Sequence, residues 1–170
     1  MMYYKKLDLE FSEVAKKTLE YAKINKDKIT SFWTNVNYDD FVKHVPEITT
    51  MFESMNLHPK RVAFVVAVKD VGIHRDATTS TARINLPILN CEHSLTKFWK
   101  TMVEPTLLQL PNGVPYMFLD EIDCNLVEQV CLDKPTVLRI TEPHSVHVGN
   151  KVPRISLTIE FFEDLTYLLE

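Results

Sequence analysis

Arg61-Val62-Ala63-Phe64-Val65-Val66-Ala67-Val68, then a polar stretch holding His74-Arg75-Asp76, then Ala82-Arg83-Ile84-Asn85-Leu86-Pro87-Ile88-Leu89, decide how this chain reads. The first run is apolar and rich in β-branched residues, which predicts a buried strand. The last alternates polar and apolar residues, as a half-buried strand does. Residues 69–81 between them read as a polar loop. His74 and Asp76 are two residues apart, so wherever the backbone is extended they share a face.

Working outward, residues 2–10 read as a short edge strand. Residues 12–27 carry Val14, Ala15, Leu19, Ala22 and Ile24 at helical spacing, with Ser12 as a plausible N-cap. Lys16, Lys17, Glu20 and Lys23 form its solvated face. Residues 38–55 repeat the pattern with Phe41, Val42, Val45, Ile48, Met51, Phe52 and Met55. Pro46 lies inside that run, so the helix is kinked or begins there. Further strands are expected at 95–103, 136–141 and 154–162. Residues 104–115 hold three prolines and Asn112-Gly113 and predict a loop. Residues 116–132 are ambiguous, Asp120-Glu121-Ile122-Asp123 reads as a solvated turn, and residues 164–169 predict a helical turn or two. Helices first and short strands afterwards imply an α+β fold, mainly β. The strands close a two-sheet jelly roll or small barrel, with the helices buttressing one sheet.

The chain has 170 residues, 45% hydrophobic and 25% charged, enough for one core and a single domain, 1–170. Residues 1–58 are its mostly helical cover and 60–162 its β core. A formal charge of −4 gives no basic field, so nucleic acid is an unlikely partner. Three cysteines, Cys91, Cys124 and Cys131, show no CxxC spacing and read as free thiols of a reducing compartment. No apolar run follows the N-terminal charges, and none approaches the roughly 20 residues that span a bilayer, so no membrane is expected. The expected location is the cytoplasm, and the oligomeric state is left open. Neither GxGxxG nor GxxxxGK[ST] occurs, so glycine loops that cradle phosphates are excluded. GxSxG and HExxH are absent too.

A second histidine, His144, lies about seventy residues after His74 in Pro143-His144-Ser145-Val146, and Arg154 follows ten residues later on a strand-like run. Two histidines and one carboxylate that leave open positions make the facial triad of non-heme Fe(II) oxygen chemistry. An arginine on an inner strand beside such a metal suits a dicarboxylate cosubstrate. Taken singly, His-x-Asp also fits a solvated loop, and Arg83 and Arg154 fit surface-strand charges. His147 competes with His144, since three residues apart on a strand they face opposite ways. His44 and His58 read as surface residues and His93 as a loop histidine. Trp33 and Trp99 read either as core or as a cavity entrance, and Phe98 and Trp99 cannot both face inward.

The ordered set His74-x-Asp76, Arg83-Ile84-Asn85-Leu86-Pro87, Pro143-His144 and Arg154 resembles the 2-oxoglutarate/Fe(II)-dependent dioxygenases, in particular a small free-standing form of the aspartyl/asparaginyl β-hydroxylase-like branch. The resemblance spans roughly residues 60–162. In that family an arginine follows the first histidine by nine residues and another follows the distal histidine by ten, as Arg83 and Arg154 do here, which favours His144 over His147. The resemblance implies a double-stranded β-helix (jelly roll, cupin-like). It implies Fe(II) held by His74, Asp76 and His144, and 2-oxoglutarate held by Arg154 with Arg83 and Asn85. O2 would be consumed, a peptide side chain, amino acid or small metabolite hydroxylated, and succinate and CO2 released. Two other readings stand beside it: a non-catalytic cupin-like metal- or carboxylate-binding module, and a metal-dependent isomerase or epimerase.

Overall fold

Along β12 (Arg154–Phe161) side chains alternate between two environments. Leu157, Ile159 and Phe161 enter an apolar cluster with helical residues, while Arg154, Ser156, Thr158 and Glu160 point the other way and are buried as well. A strand buried on both faces must lie inside a layered fold. The computed structural model describes residues 1–30, 32–109, 113 and 115–170.

Two antiparallel six-stranded sheets face each other across the polar side of β12. The first sheet orders β1 (Tyr4–Lys6), β10 (Thr136–Arg139), β5 (Ala82–Leu89), β12, β3 (Pro59–Ala67) and β2 (Trp33–Val36). The second orders β7 (Thr106–Gln109), β8 (Pro115–Phe118), β4 (Val71–Asp76), β11 (His144–His147), β6 (Leu95–Thr101) and β9 (Cys124–Cys131). From β3 to β6, and again from β10 to β12, each strand lies in the opposite sheet from the one before it. That alternation brings residues distant in sequence to one inter-sheet space.

The outer face of the first sheet is covered by α1 (Ser12–Ile24), α2 (Tyr38–His44) and α3 (Glu47–Glu53). Phe41, Ile48, Phe52 and Phe64 are wholly buried in that seam. Edge-to-face rings close it, Tyr21 on Phe41 at 5.2 Å and Phe52 on Phe161 at 4.8 Å between centroids. Among the described residues no helix is long and apolar enough to cross a membrane.

Several expectations need correction. The stretch 69–81 is not all loop, because Val71–Asp76 is a strand paired with both β8 and β11. Its polar residues mislead: His74 and Asp76 face the inter-sheet space rather than solvent. The single helix over 38–55 is two. Val45 precedes a proline, which disfavours helical backbone, and it sits at φ −131°, ψ 62°. Pro46 then caps α3, while Asn37 caps α2 by accepting from the Asp40 amide at 3.0 Å. Ser12 is the first residue inside α1 rather than its cap, and its amide and hydroxyl both donate to the Glu10 carboxylate. The buried stripe of α1 is Val14, Thr18, Tyr21 and Ala22, and Ile24 is 74% exposed. Within 104–115, Thr106–Gln109 forms an exposed edge strand; residues 110–112 and 114, including Asn112, lie outside the described residues. The ambiguous stretch 116–132 supplies β9 and most of β8, joined by the exposed turn Glu121–Asp123. Phe98 does face inward, and Trp99 packs on the other face with Ile73 and Leu119.

The turn from β11 to β12 depends on one glycine. Gly149 has φ +76°, and a Cβ there would lie 2.1 Å from the His93 carbonyl oxygen. Both the positive φ and the backbone clash oppose any side chain. Gly149→Ala is expected to lower stability by more than about 2 kcal/mol, read from urea midpoints.

Candidate metal centre

β4 and β11 lie side by side, with His74 directly opposite His144. The register places both imidazoles on the inner face, their centroids 4.3 Å apart. Asp76, two residues on from His74, shares that face. Its Oδ1 lies 3.6 Å from His74 Nε2 and 3.7 Å from His144 Nε2. One ligand atom from each residue falls within 4.8 Å of the others. Two donors each about 2.1 Å from one ion can be at most about 4.2 Å apart, so a cation can join Asp76 to either histidine.

The far side of each ring is fixed in the same way. His74 Nδ1 meets the Gly72 carbonyl and His144 Nδ1 the Glu142 carbonyl, both at 2.9 Å. A carbonyl can only accept, so each Nδ1 carries the proton and each Nε2 presents a lone pair to the centre. Burial, reinforced by the neighbouring His144, pushes the His74 imidazole down to about 4. Tyr116 stacks on His74 at 4.7 Å and its hydroxyl donates to the Gly72 carbonyl at 3.1 Å. Burial, with the Asp76 charge nearby, raises that phenol to about 12, so it stays a donor.

The depressed His74 value carries a stability consequence. The folded group binds its proton near pH 4 and the unfolded one near 6.5. Its contribution is fully present above 6.5 and is lost as pH falls toward 4. At 1.36 kcal/mol per pH unit the loss at pH 5 is roughly 2 kcal/mol. Metal-free wild type is expected to lose that much more between pH 7 and pH 5 than His74→Gln, measured by urea unfolding.

Two spaces lie against these residues. An inner cavity of about 60 Å³ is walled by both sheets and includes Asn85, Thr96, Arg154, Ser156 and Thr158. An outer one of about 220 Å³ is flanked by Asn35, Arg61, Pro115 and Tyr116. Phe32, Trp33, His74, Asp76 and Arg83 border both. Arg154 is 3% exposed. Its Nε donates to Ser94 Oγ at 3.0 Å and its Nη1 to Ser156 Oγ at 3.3 Å. No carboxylate of the described residues lies within ion-pairing distance of it, and burial acts against its charge. Arg83, also buried, is instead paired: Nη1 donates to Asp76 Oδ2 at 2.5 Å. Asn85 lies two residues along on the same wall.

So His74, Asp76, His144, Arg83, Asn85 and Arg154 all border one inter-sheet space. His147 points outward and pairs with Asp70 at 2.6 Å. His44 and His58 are exposed, His58 pairing with Glu163, and Cys91, Cys124 and Cys131 are free thiols. Sequence reading missed Ser94, Ser156 and Thr158 around Arg154, and Phe32 and Tyr116 around His74. The parity of β12 is a signal for two of them, since Ser156 and Thr158 must share a face with Arg154.

No family model matches the chain, and a search of curated proteins gives no match. Solved structures do resemble it. One is the epimerase SnoN in complex with Fe3+, alpha ketoglutarate and nogalamycin RO, at TM-score 0.58 and 13% identity, covering 97% of this chain and 80% of that one. Another is the non-heme alpha ketoglutarate dependent epimerase SnoN from nogalamycin biosynthesis, at TM-score 0.56 and 15% identity, covering 97% and 79%. At these identities the likeness establishes the fold. A Pseudomonas putida prolyl-4-hydroxylase, at TM-score 0.44 and 14% identity over 96% of this chain and 89% of that one, is too distant to carry an argument.

Proposed function

We propose that the protein is an oxygenase dependent on Fe(II), 2-oxoglutarate and O2, with the two sheets forming a double-stranded β-helix. One observation carries this reading: a single cavity holds three convergent ligand atoms and a buried arginine that has no carboxylate partner among the described residues. The donor set fits the metal. Two neutral imidazoles and one carboxylate match the facial triad and leave positions for a chelating α-oxo acid. When bound, the iron couples decarboxylation of 2-oxoglutarate to oxidation of a substrate C–H bond.

The chain's own residues supply the rest. Arg154 takes the distal carboxylate of the cosubstrate, its fork set by the Ser94 and Ser156 hydroxyls. Asn85, Thr96 and Thr158 add polar groups to the same wall. Phe32, Trp33 and Tyr116 line the outer space beside His74 and Asp76. The outer space suits a small molecule or a single peptide side chain, and hydroxylation is the expected outcome. The nine- and ten-residue intervals from His74 to Arg83 and from His144 to Arg154 support a place beside the aspartyl/asparaginyl β-hydroxylase-like branch. The SnoN likeness makes inversion of a stereocentre the alternative outcome to score.

The test is an anaerobic titration with Fe(II) and 2-oxoglutarate. A visible charge-transfer band that needs both components, followed by succinate formation under air, is expected. Folded protein that gives neither band nor succinate overturns the proposal and leaves a cupin-like binding module.

A further inference from the structure

We propose that Arg83 is a positioning residue that fixes Asp76 as a single-oxygen metal ligand, and that it does not hold the cosubstrate; this rests on the reading of His74, Asp76 and His144 as the metal site. A carboxylate can offer one oxygen or two. Here Asp76 Oδ2 accepts from Arg83 Nη1 at 2.5 Å, and only Oδ1 stands between the two histidine Nε2 atoms. With one oxygen committed to the guanidinium, the other is the one an ion meets.

Arg83 is itself held. It is 4% exposed, and its guanidinium carbon lies 4.9 Å over the Trp33 ring. Glu160 lies 4.0 Å from Nη2, and Glu160 is gripped in turn by Arg61. The Arg83 charge is therefore answered by two carboxylates before any ligand arrives. Its Nε is buried without a hydrogen-bond partner, so that edge of the fork is not exposed to an incoming anion. Arg154 is equally buried but, among the described residues, has no acidic partner, and it lies among hydroxyls in the inner cavity. The two arginines divide the work: Arg83 answers the charge of a metal ligand, and Arg154 awaits an anion.

The test uses Co(II) alone, with no cosubstrate, followed by isothermal titration and the visible Co(II) spectrum. Arg83→Met is expected to weaken Co(II) binding by about 10–100-fold, the range for loss of an outer partner of a metal ligand. The spectrum is expected to change, because a freed Asp76 can turn its second oxygen to the ion. Arg83→Lys keeps the charge without the fork and is expected to recover part of the affinity. On protein saturated with Co(II), 2-oxoglutarate affinity is expected to stay within about threefold of wild type. If Arg83→Met does not fold, Arg83→Lys decides, with Co(II) affinity below wild type expected. Unchanged Co(II) affinity in the folded variants, with 2-oxoglutarate binding lost, overturns this role alone. Wild type that binds no Co(II) defeats the site reading and this role together.

Discussion

His74→Ala is expected to abolish Fe(II) binding, with affinity falling by more than the roughly 10–100-fold that loss of an outer partner costs. His74 contributes one of three ligand atoms, and its Nε2 lone pair is aimed by the Gly72 carbonyl on the other ring nitrogen. Among the described residues no imidazole besides His74 and His144 borders the site. His144 is already part of the group, and His147 faces outward against Asp70. The substitution is also the cleanest of the three. Removing Asp76 would strip the buried Arg83 of its nearest carboxylate and confuse metal loss with misfolding. Removing the His74 ring leaves that ion pair intact and vacates a space beside Tyr116 that already borders the outer cavity. His147→Ala is the matched control, expected to bind Fe(II) as wild type does. Anaerobic titration of both variants, with far-UV circular dichroism to establish folding, decides. Wild-type affinity in His74→Ala removes this residue from the metal site.

How much of this was legible in sequence follows from where the polar residues point. Strands β3, β5 and β12 announce themselves because one face of each is apolar and packs under the helices. That His74 and Asp76 share a face was legible from period-two spacing, while the choice of His144 beside them came from the resemblance. The error over 69–81 has the same root. A strand whose polar side faces an enclosed cavity carries the alternation of one whose polar side faces water, and nothing local distinguishes them. β5 shows this most plainly. It reads as half-buried, yet Arg83 and Asn85 are buried along with Ile84 and Leu86. Phe32 and Tyr116 carry no local mark of their role. They reach the site because β2 pairs with β3 and β8 with β4, pairings set by the whole fold. The Arg83–Asp76 contact is equally non-local: it crosses the inter-sheet space from β5 to β4, where the resemblance directed attention to the cosubstrate.

Arg154→Met is expected to act with opposite signs on the free protein and on its complex. In the free protein the guanidinium is buried, donates to two hydroxyls and, among the described residues, has no carboxylate within ion-pairing distance. Replacing such a charge by an apolar side chain of similar length is often neutral or stabilising. The melting temperature of the metal-free variant is therefore expected to equal or exceed that of wild type. In the complex the charge has its counterpart, and losing one member of a buried charged pair typically costs about 2–5 kcal/mol. At 1.36 kcal/mol per tenfold, the lower figure alone is about a 30-fold loss of 2-oxoglutarate affinity. Arg154→Lys is expected to fall between, since an ammonium keeps the charge but cannot span two carboxylate oxygens while also meeting Ser94 and Ser156. Thermal unfolding with and without 2-oxoglutarate, at saturating metal, reads both signs in one experiment. A variant that loses stability when free, yet keeps the cosubstrate-dependent rise in melting temperature, shows that Arg154 serves the fold and that the anion binds elsewhere.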